Sequence, residues 1–381
     1  MNNKIDYKFT FVLTTYPFII HISNTAYLIS ILSGLICIYE IFIFLFNKKS
    51  INKNSLFFLF FSSLLIFQSL LNFSKFSSLI VLLYILMKSF YINIFFNNTN
   101  PRKILKNIDF IYKISIGITL FFMILDIIYP QYQSFIGFRD DTNYPFLGSF
   151  SIFRAHGLFD EPSEISTFLA ALIGIRIYIS NLLDNLSNEK ESSTNNNYVF
   201  SYIFVVFATV STSALIYFLA LVIITNFKKL SNLYLSKKLL LIFLILIPAL
   251  ILYFYPILLK LLNFIDQEST RSIFLFLKDL DLPTGQGIGY LSINGIYLPN
   301  LFIRLIIEQG IFISLIFYFM VFRRLFNSLY PITIIFILFA ITSGDIIQPI
   351  FSLFIAIPLL RRANVKNKYN KQYKITYEDN C

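Results

Sequence analysis

Long apolar runs follow one another along almost the whole chain. They lie near 9–23, 25–46, 55–71, 76–96, 110–129, 163–182, 198–226, 238–258, 300–322 and 329–360. Most are long enough for an α-helix to cross about 30 Å of hydrocarbon, which takes roughly 20 residues. They lack the alternation of membrane β-strands. Charged residues are 13% of the chain, against ~25% in soluble domains. We therefore expect an all-α, polytopic integral membrane protein in which residues 1–381 form a single membrane domain.

The positive charges predict how the helices are oriented. The chain carries 31 Lys and Arg against 20 Asp and Glu, a formal net charge of +11. In a soluble protein this excess would suggest nucleic acid, but here the cations cluster between apolar runs and in the tail, as they do in the cytoplasmic segments of membrane proteins. They place 47–54, 97–109 and the basic tail 361–381 inside, and they leave 130–162 and 259–299 as two long outer loops. No nucleic-acid partner is expected.

The number of crossings depends on two of the runs. One crossing by 198–226 would put the lysines that follow it outside, whereas two short passes or a re-entrant hairpin keep them inside. The same argument applies to 329–360. Breaks are expected near Ser211–Ser213 and Ser343–Asp345, where small polar residues can satisfy freed backbone groups. The prediction is 10–12 transmembrane helices, with 12 favoured, both termini inside and an uncleaved first anchor.

The first outer loop ends in a charged segment, RAHGLFDEPSE, from Arg154 to Glu164. Pro162 suits the first position of a helix, with Asp160 or Glu161 as its cap and Glu164 in its first turn, where the helix dipole favours carboxylates. Capping and a structural Arg–Glu pair would explain one or two of these charges. The whole group, with His156 beside Arg154, also fits half of an active site that faces water.

The second outer loop leads to another polar group. Arg271 is followed by PTGQGIG at 283–289 and then by Asn300, at the start of the next apolar run. No Gly-Lys-Ser/Thr follows the glycines, so a tight turn is predicted rather than a nucleotide P-loop. Arg304 and Glu308 are four residues apart and are expected to pair on one helix face. The Asp-x-Asp spacing at 279–281 is too short a match to predict a metal.

A few further residues could carry chemistry but are too scattered to trace an ion path, which counts against a transporter. No metal and no cofactor are predicted, because the two cysteines have no ligand spacing. The ionisable residues in or near apolar runs are Glu40, Lys88, Asp126, Arg176 and Asp345, and the cysteines are Cys37 and Cys381.

The two outer loops resemble those of the bacterial O-antigen polymerase and O-antigen ligase superfamily, the Wzy-type polymerases in particular. The resemblance covers roughly 130–320, and the flanks match in hydropathy alone. Ligases of this superfamily carry a His before the late Asn, and Pro299 occupies that place here, which favours a polymerase. The matching residues are Arg154, Gly157, Glu161, Pro162, Ser163, the break at Ser211–Ser213, Arg271, Gly285, Gly287, Gly289, Asn300, Glu308 and Gly310.

The resemblance implies an enzyme in the bacterial cytoplasmic membrane that polymerises oligosaccharide repeat units carried on undecaprenyl diphosphate. The donor and acceptor glycans, membrane lipid, a chain-length regulator and a flippase are the implied partners. Glu161, Arg154 and Arg271 are the expected catalytic residues. The residues expected to bind substrate are His156, Glu164, Arg304, Glu308, Asn300 and Arg139. A flippase for lipid-linked glycans and an O-antigen ligase are the alternatives.

Overall fold

The computed structural model describes residues 5–14, 24–47, 53–71, 76–128, 143–146, 150–153, 162–187, 194–209, 212–232, 283–288, 290–294, 301–325 and 330–342. This part of the chain is helical apart from one short β-hairpin and the turn at 283–288, so the all-α prediction is confirmed for it in outline. The hairpin joins two strands, β1 (Asn143–Phe146) and β2 (Phe150–Phe153). The helices are α1 (Tyr7–Thr14), α2 (Asn24–Phe46), α3 (Lys53–Leu71), α4 (Phe76–Asn98), α5 (Pro101–Ile128), α6 (Pro162–Ser187), α7 (Asn195–Thr209), α8 (Thr212–Asn232), α9 (Tyr290–Ile293), α10 (Leu301–Gln309), α11 (Ile311–Leu325) and α12 (Tyr330–Thr342).

Helix α6 lies at the centre of the described bundle. It packs against α5, α7, α8 and α12, and its apolar side chains are buried on every side from Ile165 to Leu183. A helix that is apolar all round requires such surroundings. At Gly174 the α12 backbone comes close, because a Cβ there would lie 3.6 Å from the Pro331 carbonyl oxygen.

By length and composition, two helical stretches among the described residues can cross a membrane. They are Leu79–Asn98 in α4 and Glu164–Asp184 in α6. The second is also the core helix of the bundle, and a core helix of a soluble protein can have the same composition. Four shorter apolar stretches occur in α2, α3, α8 and α12.

Several helices turn apolar side chains outward. Phe200, Phe204 and Phe207 form such a stripe on α7, at 64–74% exposure, and Phe312 and Phe319 are equally exposed on α11. Spacings of four and three residues on α7 and of seven residues on α11 place each set on one helix face. Apolar stripes of this size need a covering of lipid or protein.

Two predicted helix boundaries are confirmed. Helix α6 begins at Pro162, as the proline and the acidic residue behind it indicated. The run 198–226 breaks between α7 and α8, which end and begin at Thr209 and Thr212 and pack against each other. A two-residue connection between packed helices makes them an antiparallel hairpin. The break expected near Ser343–Asp345 lies outside the described residues, and α12 ends at Thr342, directly before it.

Some regions expected to be loops are helical or contain strands. Most of 97–109 is helical, because Asn100 caps α5: its side-chain oxygen accepts the Arg102 amide at 2.9 Å, and Pro101 occupies the first helical position. The segment 130–162, predicted to be an outer loop, contains the β-hairpin, in which Asn143 pairs with Phe153 and Phe146 with Phe150. Aromatic and β-branched residues, which dominate this segment, favour strands.

The span expected over 300–322 is interrupted at Gly310. This glycine has a φ of 84°, which side chains other than glycine rarely adopt. Helix α10 therefore ends at Gln309 and α11 begins at Ile311. An uninterrupted apolar run hides such a break, because hydropathy does not report backbone conformation.

Candidate active site

The first half of the site centres on the start of α6. Glu164 lies in its first turn and is partly exposed. Strand β2 ends at Phe153, so the hairpin and α6 flank the charged segment in the chain. Three residues of that segment that were expected in the site, Arg154, His156 and Glu161, lie outside the described residues.

Buried hydroxyl groups hold the start of α6 to the α7–α8 hairpin. The Ser166 hydroxyl donates to Thr209 Oγ1 at 3.3 Å, and the Tyr202 hydroxyl donates to the Ser166 carbonyl oxygen at 2.7 Å. On the next residue of α6, Thr167 Oγ1 donates to the Tyr217 hydroxyl at 3.2 Å. These bonds satisfy polar groups beside a helix break, and they are made by residues other than the small hydroxyl residues expected to do so. The bonds fix the first turns of α6, which include Glu164, against the α7–α8 hairpin.

The second half of the site centres on a buried ion pair in α10. Arg304 Nη2 lies 3.9 Å from Glu308 Oε1, with side-chain exposures of 9% and 0%. The predicted pairing at i and i+4 is confirmed. A charged pair removed from water must recover a large desolvation cost through good geometry or further bonds. Its presence inside an apolar helix pair is unusual enough to mark a candidate site.

The glycine turn docks on the end of α10. The Gln286 amide donates to the Ile307 carbonyl oxygen at 2.7 Å, and the Gly287 amide donates to the Glu308 carbonyl oxygen at 3.0 Å. The last carbonyl groups of a helix have no donor within that helix. The turn supplies these donors and fixes the backbone of Glu308.

Positive φ angles allow this turn to form. Gly285 has a φ of 76° and Gly287 a φ of 90°, so the tight turn predicted at 283–289 is confirmed for these two glycines. The amides of Gln286 and Gly287 bond to α10 and are therefore not directed at a phosphate, as the amides of a P-loop would be.

The end of α3 anchors both the turn and α10. The Gln68 side-chain amide donates to the Thr284 carbonyl oxygen. The Gln309 side-chain amide donates to Ser69 Oγ at 3.3 Å, and both of these side chains are buried. These residues are not among those predicted from the sequence. Their only signal was the presence of polar side chains inside apolar runs.

The structure therefore assembles part of the predicted site. It brings Arg304, Glu308 and the glycine turn together, and α12 packs against both α6 and α10, which connects the two halves. The remaining expected residues of the second half and of the first loop, Arg271, Asn300 and Arg139, lie outside the described residues.

A second polar network was also missed. Arg176, on α6, is 3% exposed, and its Nε donates to Asp109 Oδ1 at 2.8 Å. Its other nitrogens donate to the Asn195 side-chain oxygen and, at 2.7 Å, to Thr194 Oγ1. The guanidinium also covers the Tyr198 ring at 3.9 Å from its centroid. With every nitrogen used, this arginine joins α5, α6 and α7 and serves the fold.

No group of three potential metal ligands occurs among the residues that the structure describes. Comparison of the chain with protein-family models, with curated proteins and with solved structures finds no match.

Proposed function

We propose that this chain is a multi-pass enzyme of the bacterial cytoplasmic membrane that polymerises undecaprenyl-diphosphate-linked oligosaccharide repeat units. The product would be O-antigen, capsule or exopolysaccharide, made at the outer face. The observation that carries the proposal is the buried Arg304–Glu308 pair beneath the glycine turn. It provides a fixed guanidinium on the helix that follows the second predicted outer loop. A diphosphate substrate bound at that loop would need such a cation.

Exposure and contacts support a membrane protein, and ten to twelve crossings remain part of the proposal. The outward stripes of phenylalanine on α7 and α11 suit lipid. The helix ends for which the charges predict a cytoplasmic location also contact one another: Asp6 bonds with Lys103, and Lys8 with Glu40. At the opposite end, Gln68 reaches the glycine turn, which is expected outside.

The proposed reaction is a glycosyl transfer between two lipid-linked glycans. A hydroxyl oxygen of the acceptor repeat unit attacks the anomeric carbon of the donor glycan. The bond from that carbon to the diphosphate oxygen breaks, and undecaprenyl diphosphate leaves with the bonding electron pair. A base of the enzyme takes the hydroxyl proton. The leaving group gains negative charge, so the enzyme must supply cations there.

The residue roles follow from this chemistry. Arginine can bind a diphosphate in bidentate fashion, and we assign this to Arg154 and Arg271, with Arg304 behind them. Glu161 is the proposed base, and Glu164 and His156 are the other residues able to take the proton. No metal is needed if the arginines balance the charge. Glu308 would orient Arg304, and Asn300 and Arg139 would contact the glycans.

The test is the glycan made by a deletion strain and by strains that carry single substitutions. A polymerase predicts single repeat units on the cell surface of the deletion strain. Arg154→Ala and Glu161→Ala should fail to restore long chains although the protein is present, and Lys106→Ala, an exposed change on α5, should restore them. Lipid core without any repeat would instead indicate a ligase, and repeat units retained inside the cell would indicate a flippase. Normal chain lengths in either variant would remove that residue from the site.

A further inference from the structure

A cavity of about 600 Å³ lies at the opposite end of the bundle from the glycine turn. It is bounded by the start of α1, the end of α2 and the end of α4. The positive charges of the sequence predict that this end lies on the cytoplasmic side. Neither the proposed reaction nor the arginine network at Arg176 uses it.

The cavity contains charges of both signs. Asp6, Lys8 and Glu40 line it, and Lys8 Nζ lies 2.5 Å from Glu40 Oε1. Lys103 lies behind this lining, with its Nζ 3.1 Å from Asp6 Oδ2. All four side chains are partly exposed, Lys8 most of all at 56%. The hydrogen bond to Glu40 raises the pKa of Lys8 above its ordinary value, so this ammonium group is charged at any physiological pH.

The carboxylate of Asp6 is held in place by the backbone around it. Its Oδ1 accepts the Phe9 amide at 3.2 Å, which caps α1. The Asp6 amide donates to Asn107 Oδ1 at 2.8 Å. The Asp6 carboxylate therefore has a fixed position before any ligand enters.

Apolar surface continues from these charges along α2. The cavity wall contains Phe44 and Phe95, which are buried. On the outward face of the same helix, Phe42 and Phe46 are 58% and 69% exposed. The cavity wall and the outward face of α2 meet near Lys8, whose Nζ lies 5.1 Å from the centroid of the Tyr39 ring. Tyr39 is another exposed residue of α2. A ligand that fits must therefore be polar and charged at one end and apolar at the other.

We propose that this cavity binds a phospholipid whose headgroup carries both a phosphate and a primary ammonium, as phosphatidylethanolamine does. The phosphate would accept bonds from Lys8 and Lys103, and the ammonium would donate to Glu40 and Asp6. The acyl chains would lie along the exposed face of α2. Exposed ion pairs contribute little to stability, so contacts with a headgroup can replace the ion pair between Lys8 and Glu40 at little cost.

The chemistry of the two carboxylates separates this lipid from its common relatives. A choline headgroup has no N–H to donate to Glu40 or Asp6. A glycerol headgroup carries no positive charge and leaves the carboxylates beside a phosphate of the same sign. The inference does not depend on the glycan chemistry proposed above and requires only that these helices lie in a bilayer.

Lipid retention measured by native mass spectrometry tests the proposal. The full-length protein in mild detergent is mixed with equal amounts of phosphatidylethanolamine, phosphatidylcholine and phosphatidylglycerol. We expect wild-type protein to retain the ethanolamine lipid about fivefold better than either competitor. Lys8→Gln and Glu40→Gln should each bring this preference close to one. The matched control is Lys106→Gln, which changes the charge equally at an exposed position of α5 outside the cavity.

Three results would overturn it. They are equal retention of the three lipids by wild-type protein, dominant retention of phosphatidylglycerol, and an ethanolamine preference that persists in both cavity variants. Unchanged elution volume and thermal unfolding of the variants would show that they are folded. Lys8 is more than half exposed, so its replacement is expected to leave the fold intact.

Discussion

Gly285 and Gly310 lie backbone against backbone. A Cβ on Gly285 would stand 2.5 Å from the Gly310 nitrogen, and a Cβ on Gly310 would stand 2.5 Å from the Pro283 carbonyl oxygen. No side chain fits either space. This contact seats the glycine turn in the break between α10 and α11, directly beside Glu308.

Replacement of either glycine should release the turn. Gly285→Ala and Gly310→Ala each add a Cβ to a positive φ, which costs roughly 1–3 kcal/mol before the backbone clash is counted. We expect a lower thermal unfolding temperature in detergent for both variants. Gly117→Ala is the matched control, because nothing lies within 4 Å of that position in α5, and it should stabilise by up to about 1 kcal/mol. An unfolding temperature of Gly285→Ala equal to that of wild type would contradict the seated turn.

The contact between Gln68 and Thr284 can be tested without any assay of function. In a background with Cys37→Ser and Cys381→Ser, the pair Gln68→Cys and Thr284→Cys should be joined by a short bis-maleimide, because the two side chains start from contacting residues. A protease site inserted in 188–193 allows detection, since joined fragments stay together on a denaturing gel. The pair Ser63→Cys and Thr284→Cys, with Ser63 more than one turn earlier on α3, should not be joined. Equal joining of both pairs would refute the contact.

The buried pair in α10 allows a structural role to be separated from a role in substrate binding. Arg304→Leu alone should destabilise by about 3–5 kcal/mol, because it leaves the buried Glu308 carboxylate without this cation. The double variant Arg304→Leu/Glu308→Leu should recover most of that stability, since no charge remains buried. Thermal unfolding measures both effects. If Arg304 contacts the diphosphate, the stable double variant should still make no long polymer, whereas restored polymer would make the pair purely structural.

The arginine network of α6 should behave as one unit in a double-mutant cycle. Arg176→Leu removes the donor and Asp109→Ala the acceptor of a partly buried bond of 2.8 Å. We expect each to lower stability by about 3 kcal/mol and the double variant to lose much less than the sum. Unfolding in denaturant measures the coupling. Lys113→Gln, at an exposed position of α5, the helix that carries Asp109, should change stability little. Additive losses for the Arg176 and Asp109 variants would show that these two side chains do not interact.

Local signals predicted part of the site correctly. The start of α6 followed from Pro162 and Glu164, because helix capping depends on residues next to one another. The pairing of Arg304 with Glu308 followed from one turn of helix. The glycine turn followed from the density of glycines at 283–289. In each case the interacting groups are within a few residues in the chain.

Other features were missed because their partners are distant or their cause lies in the backbone. Nothing in the run 300–322 marks Gly310 as a break, since a glycine is common within membrane helices. At this break a segment more than twenty residues earlier in the chain supplies donors to the end of α10. Arg176 looked like an isolated charge, although its partner Asp109 lies 67 residues away on another helix.

Hydropathy and charge along the chain are sufficient to predict a helical protein, the approximate limits of many helices and the ends expected in the cytoplasm. These properties depend on the balance between water and an apolar environment, which each segment experiences separately. Which polar groups meet depends on how the helices pack. Gln68 and Thr284 are 216 residues apart, and their contact follows from the shapes of α3, α10 and the turn together, which no local pattern contains.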